Sequence, residues 1–387
     1  MSGTSATWQR YTTANSGLSH DYVADVAEDT SGALWFATYG GGLCRFDPEA
    51  QTWRTYRSAE GGLIDDTVGL VAADGEGRIW TVCDPQGERR YEFTGDGVVV
   101  YPPVQPGGLC ALSPDGTWQT YPEAVPGRGV LALEADRDGG LWLAIGSPPE
   151  GMRGGTDRFQ AYRWRRFDGT TWTDYANRQE AVTAWYPHRL SHTRLGWAVR
   201  GESVWLLEVI SQEPPAMSSS SLLPLGLPSL SMIPGMGSFL NEYVLSSYEG
   251  GAGWKRRATA PSGHRFESLV MDRDGHAWIS LVQLGDIVLG SGVARLDSEE
   301  GEGVWTIFDA TSGLANNNVQ AMTVDSRGHL WLSCFISDLC RWDGKQWTTF
   351  PGGEEGRGTE TLGQGFEDRH GRLWFPSKAG ALCYTPE

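Results

Sequence analysis

The chain has 387 residues and a formal net charge of −17, from 31 Lys and Arg against 48 Asp and Glu. A polyanion such as nucleic acid would meet net repulsion, and no basic run is long enough to offset it. The composition is globular, with 40% hydrophobic and 20% charged residues, but 52 Gly and 18 Trp stand out. Glycine at that level without a G-X-Y period excludes collagen and signals tight turns.

In chain order, Met1 to Thr7 show neither the basic nor the apolar region of a signal peptide, so the expectation is a cytoplasmic protein, periplasmic if a leader has been removed. A first short strand covers Trp8 to Tyr11. The next segment reads as four strands: Val23 to Ala27, Leu34 to Thr38, Leu43 to Phe46 and Trp53 to Tyr56, with Asp29 to Gly32 supplying turn residues. The phrase Asp-x-x-Gly-x-aliphatic-Trp then recurs, ending at Trp35, Trp80, Trp142, Trp278 (with Ala277 in the aliphatic slot), Trp331 and Trp374; a copy without the Asp, Gly201 to Trp205, makes seven. A second phrase, Trp-x-x-aromatic, alternates with it at Trp8/Tyr11, Trp53/Tyr56, Trp118/Tyr121, Trp172/Tyr175, Trp305/Phe308 and Trp347/Phe350; Trp254 heads a seventh copy that lacks the aromatic. Two series that both count seven define an array of repeats.

Four short antiparallel strands in about 40 residues form a propeller blade. The fold class is therefore all-β: a seven-bladed β-propeller spanning 1–387 as a single domain. The chain starts on a fourth strand and ends on a third, Ala381 to Tyr384, so the N-terminal strand completes the last blade and removes an open edge. The first repeat, GLSHDYVADVAEDTSGALWFATYGGGLCRFD, and the sixth, GLANNNVQAMTVDSRGHLWLSCFISDLCRWD, resemble the two-component regulator propeller repeat. That resemblance implies a sensor-type propeller, often linked to carbohydrate sensing, although neither a transmembrane segment nor a kinase is present. The fold is also similar to that of the streptogramin lyases, which implies an enzyme as an alternative.

With strands a to d counted outward, the d–a and b–c connections share one face. Successive strand-b Trp spacings of 45, 62, 63, 73, 53 and 43 residues place insertions in the b–c loops of blades two to five, at about Asp84 to Gly107, Gly146 to Gln160, Ser211 to Leu240 and Val282 to Gly292. Loops on a rigid scaffold are where binding resides. The residues preceding each strand a lie on the same face: His20, Asp21, Asp65, Asp66, Arg128, His192, Arg194, His264, Arg265, Asn316, Asn317, Asn318 and Glu360. Acidic groups gather in blades seven, one and two, and basic ones in blades three to five, which suits a polar or zwitterionic ligand at the channel mouth.

Catalytic motifs are missing: there is no G-x-S-x-G, P-loop or HExxH. A lyase or hydrolase would have to be assembled from His20, His192 or His264 with Asp66 or Glu360. His188 and His192 lack a third metal ligand, and the cysteines Cys44, Cys83, Cys110, Cys334, Cys340 and Cys383 form no CxxC pair. They read as small buried thiols, and His276, His329 and His370 as solvated turn residues. Arg163, Arg165 and Arg166 read as a solvated strand face. No metal and no cofactor are expected. Leu222 to Leu240 is too broken by Pro and Gly to span a membrane. Its Leu and Met content instead suggests a lid or a protein-docking segment at 211–240. The expected function is thus a non-enzymatic, monomeric propeller that binds a small molecule, saccharide or peptide, with a protein scaffold as a further alternative.

Overall fold

The structure is a computed structural model, and it describes residues 6–83, 91–94, 97–100, 107–121, 124, 129–136, 139–146, 163–188, 197–211, 241–261, 263–283, 289–335, 338–353 and 361–387. Its strands form seven four-stranded antiparallel sheets and one separate hairpin. The chain is a seven-bladed β-propeller. Contacts divide it into two units, Met1–Leu195 with Gly352–Glu387, and Gly196–Pro351.

The first unit holds blades seven, one, two and three. Blade one has strands Val23–Glu28, Leu34–Thr38, Gly42–Asp47 and Thr52–Tyr56, within a residue or so of expectation. Blade two runs Val68–Ala73, Ile79–Cys83, Gly108–Leu112 and Trp118–Tyr121, and blade three Gly129–Ala135, Leu141–Gly146, Arg163–Phe167 and Trp172–Tyr175. In blade seven, Phe366–Glu367, Leu373–Ser377 and Gly380–Thr385 are joined by Thr7–Tyr11, which pairs from Thr7↔Thr385 to Tyr11↔Ala381. The N-terminal strand completes the last blade.

The second unit holds blades four (Trp197–Arg200, Ser203–Ser211, Asn241–Tyr248, Trp254–Thr259), five (His264–Met271, Ala277–Gln283, Leu289–Ser298, Val304–Phe308) and six (Val319–Val324, Leu330–Cys334, Leu339–Trp342, Trp347–Phe350). In blade five the expected loop from Val282 to Gly292 is partly strand, since pairing continues to Gln283↔Leu289. The blade-four insertion begins where Ser211 pairs with Asn241, and residues 212–240 lie outside the described residues.

The recurring Asp-to-Trp phrase is a turn tied to an anchor. In blade one, one carboxylate oxygen of Asp29 accepts the Ser31 and Ala33 amides and the other accepts the indole N–H of Trp35 at 2.8 Å. The same indole bond recurs from Trp80 to Asp74, Trp142 to Asp136, Trp278 to Asp272, Trp331 to Asp325 and Trp374 to Asp368. A buried indole N–H needs an acceptor, and the Asp provides it while closing the hairpin. All seven strand-b tryptophans are at most 3% exposed.

In every blade but the fourth, the ring meets both a strand-d aromatic and a guanidinium. The strand-d aromatic stacks on it, as in Trp35–Tyr56 at 5.4 Å, Trp142–Tyr175 at 5.3 Å and Trp331–Phe350 at 5.5 Å. A guanidinium lies over it: Arg45, Arg166, Arg295 and Arg341 from strand c, and Arg78 and Arg372 from the turn. This corrects the solvated reading for Arg165 and Arg166, while the Arg163 side chain lies outside what is described. Arg166 is bonded to Asp136 at 2.8 Å and covers Trp142, while Arg165 is bonded to Asp174 at 2.8 Å and lies over Trp172. His276 and His329 are each held 3.0 Å from the turn Asp while part of each side chain stays in solvent, as expected of turn residues.

Among the described residues, one α-helix escapes the strand pattern. Arg178–Trp185 follows blade three, capped by Asn177, whose side chain accepts the Glu180 amide at 2.9 Å while Glu180 reaches back to the Ala176 amide. It buries Ala181, Val182 and Trp185.

Candidate functional site

The loops that enter strand a repeat one construction. Each runs Gly-Leu-x followed by three positions: His20-Asp21-Tyr22 in blade one, Asp65-Asp66-Thr67 in blade two and Asn316-Asn317-Asn318 in blade six. The first position accepts a local amide: His20 Nδ1 from Tyr22 at 3.0 Å, Asp65 from Thr67 at 2.7 Å and Asn316 from Asn318 at 2.8 Å. The second accepts the amide at the end of the preceding strand d: Asp21 from Thr13 at 2.7 Å, Asp66 from Ser58 at 2.6 Å and Asn317 from Ala310 at 2.6 Å. Its backbone carbonyl then takes a glycine amide of the previous blade's strand c: Asp21 from Gly380 and Asp66 from Gly42, each the first residue of its strand, and Asn317 from Gly292, which lies within its strand.

Those glycines are obligatory for a stated reason. Gly42, Gly292 and Gly380 all have positive φ (76°, 87° and 111°), and a Cβ there would lie 2.1–2.2 Å from the last carbonyl of strand d. The d–a loop is thereby stitched to strand c of the preceding blade, at its start in blades seven and one and within it in blade five. Arg57 adds a contact to Asp66 at 3.4 Å. Burial works against ionisation of Asp66, but the Ser58 and Arg57 hydrogen bonds outweigh it and hold its carboxyl below the usual range.

These bonds show which predicted residues present themselves outward. Asp21, Asp65, Asp66, Asn317 and Asn318 are half-buried braces of the loop, whereas His20 is exposed. With Nδ1 accepting the Tyr22 amide, neutral His20 carries its proton on Nε2 and offers a donor beside Gly40. In the second unit, His264 begins strand a of blade five and is half-buried. Arg265 lies in the same strand, and its side chain is outside what is described. Arg128, His192, Arg194 and Glu360 also lie outside the described residues.

The structure adds residues that the sequence reading passed over. Tyr39, first after strand b of blade one, is 40% exposed and stacks on Tyr22 with centroids 5.0 Å apart. Lys378 lies 5.7 Å from the Tyr22 ring, presented by the tight turn between Ser377 and Gly380 of blade seven, which Arg10 pins through the Ala379 carbonyl at 3.1 Å. His20, Tyr22, Tyr39 and Lys378 thus form an aromatic shelf with a cation and an imidazole donor at its edges. In the second unit, Phe335 holds the position of Tyr39 after strand b of blade six, bonds through its amide to the Asn318 carbonyl as Tyr39 does to Tyr22, and is 47% exposed. The signal available in the sequence was an aromatic four residues after the strand-b Trp, at Trp35/Tyr39 and Trp331/Phe335.

A half-open cleft of about 610 Å³ lies elsewhere in the first unit, between blades one and two, lined in part by Arg45, Arg54, Tyr56, Glu76 and Trp118. Its guanidinium groups face carboxylates of equal number, Asp29, Glu60 and Glu76, so its charge selects no ligand class. Among the described residues, no group of three or more His, Cys, Asp or Glu is placed to hold a metal, and no helix is long and apolar enough to cross a membrane.

Comparison with known proteins agrees with this architecture. The family model described as two component regulator propeller matches residues 313–335, the d–a loop and first two strands of blade six. No curated protein matches the chain. Among solved structures, a streptogramin B lyase is similar over 99% of this chain and 98% of its own, at 11% identity and a TM-score of 0.54. Virginiamycin B lyase from Staphylococcus aureus covers 98% of each chain at 11% identity and 0.53. YCF48 bound to D1 peptide covers 98% of this chain and 97% of its own, at 12% identity and 0.53. Identities this low establish the shared propeller fold.

Proposed function

We propose that the chain is a non-enzymatic binding propeller whose ligand, a polar small molecule such as a saccharide or a short peptide, is met on the face formed by the d–a and b–c loops. The observation that carries this reading is the Tyr22–Tyr39 shelf flanked by His20 and Lys378. An exposed aromatic pair offers a flat apolar surface, and the flanking groups offer a donor and a cation to orient a polar partner. The Asp21, Asp65 and Asp66 side chains of the same unit are occupied by backbone amides, which supports a rigid platform rather than an acid–base pair. YCF48, a propeller of similar fold, is a peptide-bound case, which is consistent with a peptide ligand here. The reading takes 1–387 as one domain acting as a monomer, with 211–240 as the segment through which a protein partner would join.

A thermal-shift panel of mono- and oligosaccharides and short peptides tests it, because a ligand that binds only the native state raises the melting temperature. A compound that stabilises the wild-type protein should lose its effect in Tyr39→Ala and weaken in Lys378→Ala, with the unliganded melting points little changed. A shift that survives both substitutions places the ligand elsewhere and removes this reading.

A further inference from the structure

All six cysteines are buried and reduced, and they occupy two layers of the repeat. Cys44, Cys110, Cys340 and Cys383 follow a leucine in strand c. The sulfurs of the first three face the d–a loop: Cys44 accepts the Ser19 amide at 3.4 Å, Cys340 the Ala315 amide at 3.2 Å, and Cys110 is bonded by the Ile64 amide. The second layer is three residues after the strand-b Trp. There blades one and seven carry hydroxyls, Thr38 and Ser377, which donate to the Gly42 and Gly380 carbonyls at 2.7 and 2.9 Å. Blades two and six carry Cys83 and Cys334 instead, so in these two blades a thiol faces a thiol.

The geometry points to Cys83–Cys110 and Cys334–Cys340 as two oxidisable dithiols that close into intrablade disulfides and thereby alter the d–a loops of blades two and six. In blade two the sulfurs are 3.9 Å apart on adjacent strands, and Cys83 also donates to the carbonyl of Asp65 at 3.3 Å. In blade six, Cys334 contacts Cys340 and the backbone of Asn316. Asp65 and Asn316 are the same position of the loop. Each pair is therefore joined to the segment that braces the candidate face, once in each unit.

The chemistry requires an oxidant, here hydrogen peroxide. The Cys110 sulfur attacks one peroxide oxygen, breaking the O–O bond to give a sulfenic acid and one water. The Cys83 sulfur then attacks the sulfenic sulfur, forming the S–S bond and releasing a second water. The two sulfurs together lose two electrons, the peroxide gains two, and both thiol protons leave in water. Once Cys83 has lost its proton, the Asp65 carbonyl has no S–H donor, and the loop loses one of its ties. Near-complete burial makes the reaction slow, which distinguishes these pairs from an exposed sensor thiol.

The test needs no ligand, so it stands apart from the binding proposal. The native protein is treated with hydrogen peroxide, unfolded in alkylating agent and mapped by mass spectrometry. The expected products are a Cys83–Cys110 and a Cys334–Cys340 peptide pair, each two hydrogens lighter and restored by a thiol reductant, with Cys44 and Cys383 still alkylated. Hydrogen exchange over residues 61–68 should quicken in the oxidised protein. Cys83→Ser, a hydroxyl of the kind blades one and seven already accommodate, should fold normally, form no blade-two link and leave exchange over 61–68 unchanged by peroxide. Six alkylated thiols after peroxide, scrambled linkages that include Cys44 or Cys383, or links with unchanged exchange would overturn the proposal.

Discussion

Blade one and blade four build the same object from different residues. In blade one, Asp29 accepts the Trp35 indole, Tyr56 stacks on the ring and Arg45 lies over it. Blade four has neither the Asp nor the strand-d aromatic. Its Trp205 indole is accepted by Ser203 at 2.8 Å, and its ring lies under Arg257 at 5.0 Å and Arg200 at 5.2 Å. Arg257 occupies the slot three residues after Trp254 where other blades place Tyr or Phe, and it is held by Ser247, Glu249 and Glu299. What the repeat conserves is thus an environment: a buried indole with its N–H satisfied and its faces covered. The residues that meet those requirements vary.

If the indole is the common element, both blades should suffer comparably from its loss. Trp35→Ala and Trp205→Ala should each cost about 3–5 kcal/mol in denaturant unfolding, the range for truncating a buried aromatic. A much smaller loss in blade four would show that its Trp is a passenger. The acceptors should differ more. Asp29→Ala leaves the indole and two amides without their carboxylate and should cost about 1–3 kcal/mol, whereas Ser203→Ala removes one neutral bond and should cost about 1 kcal/mol. Equal effects would mean that the turn amides are satisfied without Asp29.

This contrast also marks what the sequence made legible. Asp29 and Trp35 are six residues apart within one hairpin, so their bond leaves a fixed spacing that repeats along the chain. Blade four was recognisable by the Gly201-to-Trp205 remnant and by Trp254, and its substitutes were not, because Arg257 reaches Trp205 across a sheet rather than along it. The d–a loops failed differently. His20, Asp65 and Asn316 have unlike side chains, yet each accepts the same amide, and the amide leaves no mark on the sequence. Their place just before strand a was readable, while their role as braces was not. Tyr39 and Phe335 become conspicuous only through their exposure. The helix Arg178–Trp185 has an N-cap type of residue in Asn177, but at eight residues it is shorter than a helical period can establish.

A charged acceptor brings a pH dependence that a hydroxyl does not. Burial opposes ionisation of Asp29, yet the Ser31, Trp35 and Ala33 bonds outweigh it and hold the carboxyl below its ordinary range; in Asp136, burial is likewise outweighed by Arg166, Gly140 and Trp142. With the folded pKa depressed, the unfolded chain binds more protons as pH falls below the ordinary value of about 3.9, so this stabilisation is full above that value and is lost on acidification through the folded pKa. Unfolding midpoints at about pH 5 and about pH 3 should therefore fall less in Asp29→Asn than in the wild type. Ser203→Ala should leave that difference unchanged. An Asp29→Asn protein as acid-sensitive as its parent would assign the effect to other carboxylates.

The smallest expected effect is the most discriminating test of whether Arg257 stands in for an aromatic ring. Its side chain is only 9% exposed, so it behaves as part of the core, while its partners Glu249 and Glu299 are 37% and 32% exposed and keep access to water when it is removed. Glu299 also retains Arg200 at 3.0 Å. Arg257→Ala uncovers one face of Trp205 and breaks several charge-assisted bonds at once. Arg257→Tyr breaks the same bonds but returns a ring to the position where Tyr56 and Tyr175 stack in blades one and three. An aromatic pair contributes about 0.5–1.5 kcal/mol beyond its buried area, and losing half-exposed ion pairs costs little. Arg257→Tyr should therefore be more stable than Arg257→Ala by about 1 kcal/mol or somewhat more in denaturant unfolding. Equal stability of the two variants would mean that the slot in blade four is held by its ion pairs, and that covering Trp205 is incidental to them.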